Sequence, residues 1–182
     1  MDEASTLVTG FTLTECPRWH GDRLWFVDLY VRHVCSVRED GTDLRVEVET
    51  EAIPSGIGWL PDGRLLIGLS DTKKVMRQEH DGSMVLHADL EPHAVGYIND
   101  MAVGPDGSAY IGCFGFDLYA AEEVAPGPYL RVAPDGVVTV VGEPLFFANG
   151  PTIIGGDTLV VAESFASRLA AFRILPDGSL SN

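Results

Sequence analysis

The sequence predicts an all-β fold of the β-propeller class. Three observations lead there: Asp-Gly turns recur between apolar runs, the turns form two interleaved series of similar period, and helical pattern is nearly absent. The turns are clearest in "WLPDGRLLIGL", "AVGPDGSAYIG", "RVAPDGVVTVV" and "RILPDGSLS", with weaker copies in "RWHGDRLWFVD", "VREDGTDLRV", "QEHDGSMVLH" and "TIIGGDTLVVAE". One series lies near Gly21, Gly63, Gly107 and Gly156, the other near Gly41, Gly82, Gly136 and Gly178. Each advances by about 40 to 55 residues, the period of a four-stranded antiparallel blade with one inner and one outer hairpin.

In order along the chain, this places blades at roughly 15–50, 56–90, 99–142 and 149–182 of a single propeller domain. The strand after each first-series turn ("RLWFV", "RLLIGL", "SAYIG", "TLVVA") is almost continuously apolar, as a strand covered on both faces must be. The best helical candidate is a weak turn in "DLYAAEEVAPG", stopped by Pro126 and Gly127. A β-sandwich with chance Asp-Gly turns is the alternative. The fourth unit ends four residues after Gly178, so its outer strand is barely begun and about four blades are present. An incomplete ring with open sheet faces is the expectation, and such faces favour self-association.

Composition narrows the partners. The 182 residues are 46% hydrophobic, ample for a packed core. Twelve basic against 27 acidic residues give a formal charge of −15, which disfavours nucleic acid and anionic membranes. No apolar run approaches the roughly 20 residues of a bilayer span, and "MDEASTLVTG" lacks the plan of a signal peptide, so the expected location is cytoplasmic. Cys16, Cys35 and Cys113 are far apart and odd in number, against a disulfide framework or a zinc knuckle. Neither H-E-x-x-H nor G-x-S-x-G occurs.

The first strand of each blade lines a propeller's tunnel, so residues at equal phase converge near the axis. Seven or eight residues before the first-series turns stand Glu15, Ser55, Asn99 and Asn149, all oxygen-bearing. One carboxylate with amide carbonyls is a hard oxygen set, suited to Ca²⁺ first and to Mg²⁺ or Mn²⁺ next, with Zn²⁺ also admitted. Ser55 has short reach and a structural role. The same residues could instead cap strands or hold tunnel water, and "FANGP" could be a tight turn.

"ECPRWHGDRLWFVD", "INDMAVGPDGSAYIG" and "FANGPTIIGGDTLVVAESFASRLAAF", in this order from about residue 11 to 182, resemble three segments of the SMP-30/gluconolactonase/LRE-like family. The resemblance implies a six-bladed propeller with a divalent metal in its tunnel, whose enzymatic members hydrolyse sugar or related lactones. It implies that Glu15 and Asn149 are metal ligands. Asn99 would lie at the metal and contact substrate or a bound water, Asp117 in "FGFD" would hold substrate hydroxyls, and Asp100 would orient Asn99 or cap local N–H groups. Two departures stand out. Tyr97 occupies a place where sugar-lactone members can carry a substrate-gripping Arg, and an aromatic there stacks on a ring without offering a positive fork. The family's further ligand and proposed proton-transfer group is an Asp on a later blade, beyond Asn182, so the catalytic residue is unknown and residues 1–182 alone are expected to be inactive.

Asp157 and Asp177 lie in hairpin turns and do not replace it. Asp28 and Glu163 share another phase and are expected to fix interblade backbone hydrogen bonds. The functional expectation is a divalent-metal-dependent lactonase acting on a small-molecule lactone. The alternative is a non-catalytic propeller, metal-stabilised and serving as a binding or scaffold module.

Overall fold

The computed structural model describes residues 4–181. Among these, sixteen strands form four antiparallel sheets, each with its strands in chain order, and no helix is present. Blade 1 comprises β1 (Thr14–His20), β2 (Arg23–Asp28), β3 (His33–Arg38) and β4 (Arg45–Glu49). Blade 2 comprises β5 (Pro54–Trp59), β6 (Leu65–Leu69), β7 (Lys74–Gln78) and β8 (Met84–Asp89). Blade 3 comprises β9 (Ile98–Val103), β10 (Ala109–Cys113), β11 (Tyr129–Val132) and β12 (Val138–Val140). Blade 4 comprises β13 (Ala148–Ile154), β14 (Thr158–Glu163), β15 (Arg168–Ile174) and the two-residue β16 (Leu180–Ser181). The inner strands β1, β5, β9 and β13 pack against one another in that order, the arrangement of successive propeller blades.

The turns are built alike. All eight glycines of the two series adopt left-handed φ between +63° and +88°. In six turns the preceding Asp (Asp40, Asp62, Asp81, Asp106, Asp135, Asp177) accepts the N–H two residues on at 2.9–3.1 Å. The segment 117–126 forms a turn rather than a helix.

Apolar faces meet between blades. Val27 and Val34 of blade 1 pack on Ile57 and Ile67 of blade 2, Leu66 and Val75 on Met101 and Ile111 of blade 3, and Tyr110 and Tyr129 on Leu159 and Val161 of blade 4. A fourth cluster, Phe26, Cys35 and Val37, is covered by Val8 and Phe11. The three cysteines are free and buried; burial first pushes Cys113 up to about 12 and Cys35 up to about 11, so these two are packing thiols.

Close approach of adjacent blades depends on two glycines, Gly56 on β5 and Gly112 on β10. A Cβ on Gly56 would lie 2.8 Å from Met101 N, and one on Gly112 would lie 2.6 Å from Ala148 Cβ. Any side chain there would wedge adjacent blades apart. The carboxylates at the ends of the second strands differ from expectation. Asp28 accepts from the N–H groups of Thr12 and Leu13 and from the Thr12 hydroxyl, and Glu163 accepts from Phe146 N and Arg168 Nε. Each ties down the chain entering its own blade, because the second strand ends beside the start of the first. Burial raises both carboxyls, but these donors outweigh it and hold them below the ordinary range.

His87 is the extra residue in a β8 bulge, opposite the step between Val75 and Met76. It is 9% exposed, its Nδ1 lies 3.1 Å from Arg77 Nη1, and its Nε2 has no partner among the described residues. Burial, then Arg77 and Arg64, depress its pKa, against smaller opposing effects of the Ala133 carbonyl and Asp135. The fold therefore favours neutral His87. Its contribution is intact above the unfolded value near 6.5 and is lost as pH falls through the depressed folded value. In urea unfolding between pH 7.5 and 5.5, His87→Gln should lose less stability than wild type, by up to about 1.4 kcal/mol per pH unit. Equal pH slopes would count against it.

Candidate metal centre

The oxygen-bearing residues found by phase all occupy a bulged step near the start of their inner strand. Pairing shifts between Glu15 and Arg18 on β1, between Pro54 and Gly56 on β5, opposite Ile111 and Cys113 on β9, and between Asn149 and Thr152 on β13. In blades 1, 3 and 4 two residues oppose one, which kinks the strand and re-aims its side chains. Glu15 and Asn149 are each followed by a left-handed residue, Cys16 at φ +52° and Gly150 at φ +51°. The opening step of the tunnel-lining strands is thus irregular in every blade.

Asn99 and Asn149 are brought side by side. Asn99 Nδ2 donates to the Ala148 carbonyl at 2.8 Å, which orients its amide and leaves Oδ1 with no donor among the described residues. Asn149 Oδ1 accepts from Gly150 N at 2.9 Å and retains a second lone pair. Glu15 is half-buried and has no Lys or Arg partner among the described residues. Burial, then the negative charge of Asp100, raises its carboxyl above the usual range, and the Cys16 backbone N–H partly offsets this. Ser55 Oγ donates to the Asn99 carbonyl at 3.1 Å, the structural tie expected of it.

Of the remaining candidates, Tyr97 directly precedes β9 and Asp117 follows β10. Tyr97 packs edge-on against Tyr119 (5.2 Å) and tilted against Phe114 (5.8 Å). Asp117 accepts from Tyr119 N and Ala120 N at 2.9 and 3.0 Å, while its own N–H donates to Glu122 Oε2, so its carboxylate organises the 117–122 turn. Among the described residues there is no cluster of three or more His, Cys, Asp or Glu arranged to hold a metal. The set supplies one carboxylate and neutral amide oxygens, chemistry that fits a hard divalent cation rather than a thiolate- or imidazole-bound one.

Sequence reasoning gave Asp100 a cap on local N–H groups, as its bond from Met101 N is, but missed its tie to Cys16 and Arg18 of blade 1. Asp100 is 5% exposed, and its Oδ1 accepts from Cys16 Sγ (2.8 Å), Arg18 Nη2 (2.8 Å) and Met101 N (2.7 Å). Arg18 Nη2 also donates to the Met101 carbonyl at 2.7 Å, and Ile57 N donates to Cys16 Sγ at 3.1 Å. Blades 1, 2 and 3 are knotted together next to Glu15 and Asn99. Burial leaves Asp100 above the ordinary carboxylate range although Arg18, Cys16 and Met101 pull it down, and burial with Asp100 pushes the Cys16 thiol well up. The available signal was a charged residue, Arg18, within an inner strand.

The geometry agrees with what the chain is similar to. The model of the SMP-30/Gluconolactonase/LRE-like region matches residues 13–182. No curated protein matches the chain significantly. Among solved structures, a gluconolactonase of Xanthomonas campestris is similar with TM-score 0.79 and 25% identity, over 97% of this chain and 63% of that one. The calcium-binding protein regucalcin of Agrobacterium tumefaciens is similar with TM-score 0.77 and 23% identity, over 97% and 59%. A luciferin-regenerating enzyme is similar with TM-score 0.79 and 19% identity, over 97% and 61%. The chain spans about three-fifths of the length of these structures, 59% to 63%. With its four-bladed arrangement and a family match over nearly its whole length, the chain belongs to the SMP-30/gluconolactonase/LRE-like family.

Proposed function

We propose that the protein contributes to a divalent-metal-dependent hydrolase of lactones, with the cation held by Glu15, Asn149 and Asn99. One observation carries this reading: a carboxylate with no Lys or Arg partner among the described residues and two amides stand at the same bulged step of tunnel-lining strands. Ca²⁺ suits the hard oxygen set best, followed by Mg²⁺ and Mn²⁺. The names gluconolactonase and calcium-binding protein among the similar structures support the same choice.

A bound cation supplies Lewis acidity toward the lactone carbonyl. Glu15 provides the charge that retains the ion, and the neutral amide oxygens leave that charge little quenched. Asn99, fixed through Ala148, orients the substrate or a water beside the carbonyl. Asp100 holds the Asn99 backbone through Met101 and Arg18 rather than meeting substrate.

The test is a lactone panel assayed on the longest expressible chain that carries residues 1–182, with Ca²⁺, Mg²⁺ or Mn²⁺ and after chelation, beside thermal melts of the same samples. Turnover should require metal, and Ca²⁺ at about 100 times its Kd should stabilise the fold by about 2.7 kcal/mol. The absence of both turnover and a melting shift would remove the metal centre. A shift without turnover of any lactone would favour a metal-stabilised binding module.

A further inference from the structure

Immediately outside the oxygen-bearing step lies a second ring of equivalent positions. Leu13, Ile53, Tyr97 and Phe147 each stand two residues before Glu15, Ser55, Asn99 and Asn149. Their equivalence is structural as well as numerical. Their carbonyls accept from Leu29 N (3.0 Å), Ser70 N (2.7 Å), Phe114 N (2.9 Å) and Ser164 N (3.2 Å), the same hydrogen bond in each blade. None of the four carries a charge, and the Tyr97 hydroxyl is their single polar side-chain group.

In blades 3 and 4 this collar continues into an aromatic wall. Ring centroids run from Tyr119 to Tyr97 (5.2 Å), to Phe114 (5.8 Å), to Phe147 (4.2 Å) and to Phe165 (4.8 Å), with Phe116 buried behind them. The wall is not sealed core, because Tyr119 and Phe165 at its two ends are 59% and 50% exposed. All these residues sit at the end of the sheets where the inner strands begin, hence at the same end as Glu15, Asn99 and Asn149.

Accepting the lactonase reading, on which this rests, we infer that the substrate is a lactone or ester with a flat apolar or aryl body, not a polyhydroxylated sugar lactone. Its carbonyl reaches the oxygen-bearing step while its body lies against Tyr97 and Phe147. Sugar hydroxyls brought to this collar would lose water and meet almost no partner, a penalty an apolar ring escapes. The carboxylate nearest in sequence to the wall, Asp117, is fixed in the 117–122 turn by the bonds its Oδ1 accepts from Tyr119 N and Ala120 N. Aromatic faces and edges add directional contact to an aryl ring that they do not give to a hydroxyl chain.

The experiment compares, on the longest expressible chain that carries residues 1–182, kcat/KM for dihydrocoumarin and gluconolactone, two six-membered lactones, in the presence of Ca²⁺. The aryl lactone should be favoured about 30-fold or more, and Tyr97→Arg should shrink that ratio by about 10-fold, chiefly through KM for the aryl substrate. Should Tyr97→Arg fold poorly, Tyr119→Ala at the exposed end of the wall should raise KM for dihydrocoumarin by a few-fold, about 3 to 5, and leave KM for gluconolactone unchanged. Equal or faster hydrolysis of gluconolactone overturns the inference and leaves the lactonase reading standing. If neither is hydrolysed with any of the three cations, the lactonase reading fails and calorimetric binding of the same two compounds decides. Tighter binding of dihydrocoumarin, weakened by Tyr97→Arg or Tyr119→Ala, supports the collar; equal, weaker or absent binding overturns it.

Discussion

Glu15→Gln is expected to abolish the Ca²⁺-dependent rise in Tm and to lower metal-dependent kcat/KM on any hydrolysed lactone by at least about 100-fold. The substitution keeps size and one oxygen but removes the one carboxylate in the proposed ligand set, and Ca²⁺ affinity follows the charge count of its ligands. Without metal the variant should be no less stable than wild type in urea. Glu15 has no basic partner among the described residues and stands near Asp100, so losing its charge removes a repulsion. This combination separates a ligand from a packing residue, whose loss would lower metal-free stability first. An unchanged Ca²⁺ shift in the variant removes Glu15 from the centre.

Much of the fold was legible because each blade repeats a locally encoded unit. The Asp-Gly turns specify their own geometry through a left-handed glycine and an Asp that accepts the N–H two residues on, without help from distant parts of the chain. The apolar second strands of blades 2 and 3 are buried on both faces as their sequences report, whereas β14 of blade 4 alternates buried and half-buried residues and is fully covered on one face only. Phase within the repeat also located Glu15, Ser55, Asn99 and Asn149 at equivalent steps, since equal offsets from equivalent turns give equivalent places in a repeated sheet.

What remained hidden depends on register and loop path. The shift that kinks the strand at Glu15 involves Cys16 at positive φ, which a thiol side chain does not advertise as a glycine would. The sequence does not show that the course of residues 117–122 brings Asp117 Oδ1 onto the N–H groups of Tyr119 and Ala120, while Oδ2 has no donor among the described residues. Asp28 and Glu163 were placed at the correct strand end yet given partners between blades, whereas each closes its own blade's entry. The apolar collar was visible one residue at a time, in Tyr97, and emerged as a ring only once the repeated hydrogen bonds established that Leu13, Ile53 and Phe147 are its equivalents.

The Asp100 tie yields the largest expected change in stability. Asp100→Ala should cost about 3 to 5 kcal/mol, read as a lowered urea midpoint with an unchanged m-value, because it strands Arg18 and leaves Met101 N and the Cys16 thiol without their acceptor. Arg18→Met alone should also destabilise, leaving the buried carboxylate with only the thiol and one N–H. The double variant should be more stable than the sum of the two losses predicts, by about 1 to 3 kcal/mol, since removing both charges removes the uncompensated one. The chain separation of 82 residues makes this a test of tertiary structure rather than of local propensity. The same tie anchors the backbone beside both Glu15 and Asn99, so loosening it should reach the metal. Ca²⁺ affinity in Asp100→Ala, measured below the unfolding transition, should fall by about 10- to 100-fold, and the double variant should recover stability more fully than affinity. That divergence follows from the two jobs involved: an apolar pair can fill the space between blades, but it cannot hold two strand bulges in register with hydrogen bonds. Strictly additive single variants, or an unaltered Ca²⁺ affinity in Asp100→Ala, would show that the contact between blades 1 and 3 is neither coupled nor connected to the centre.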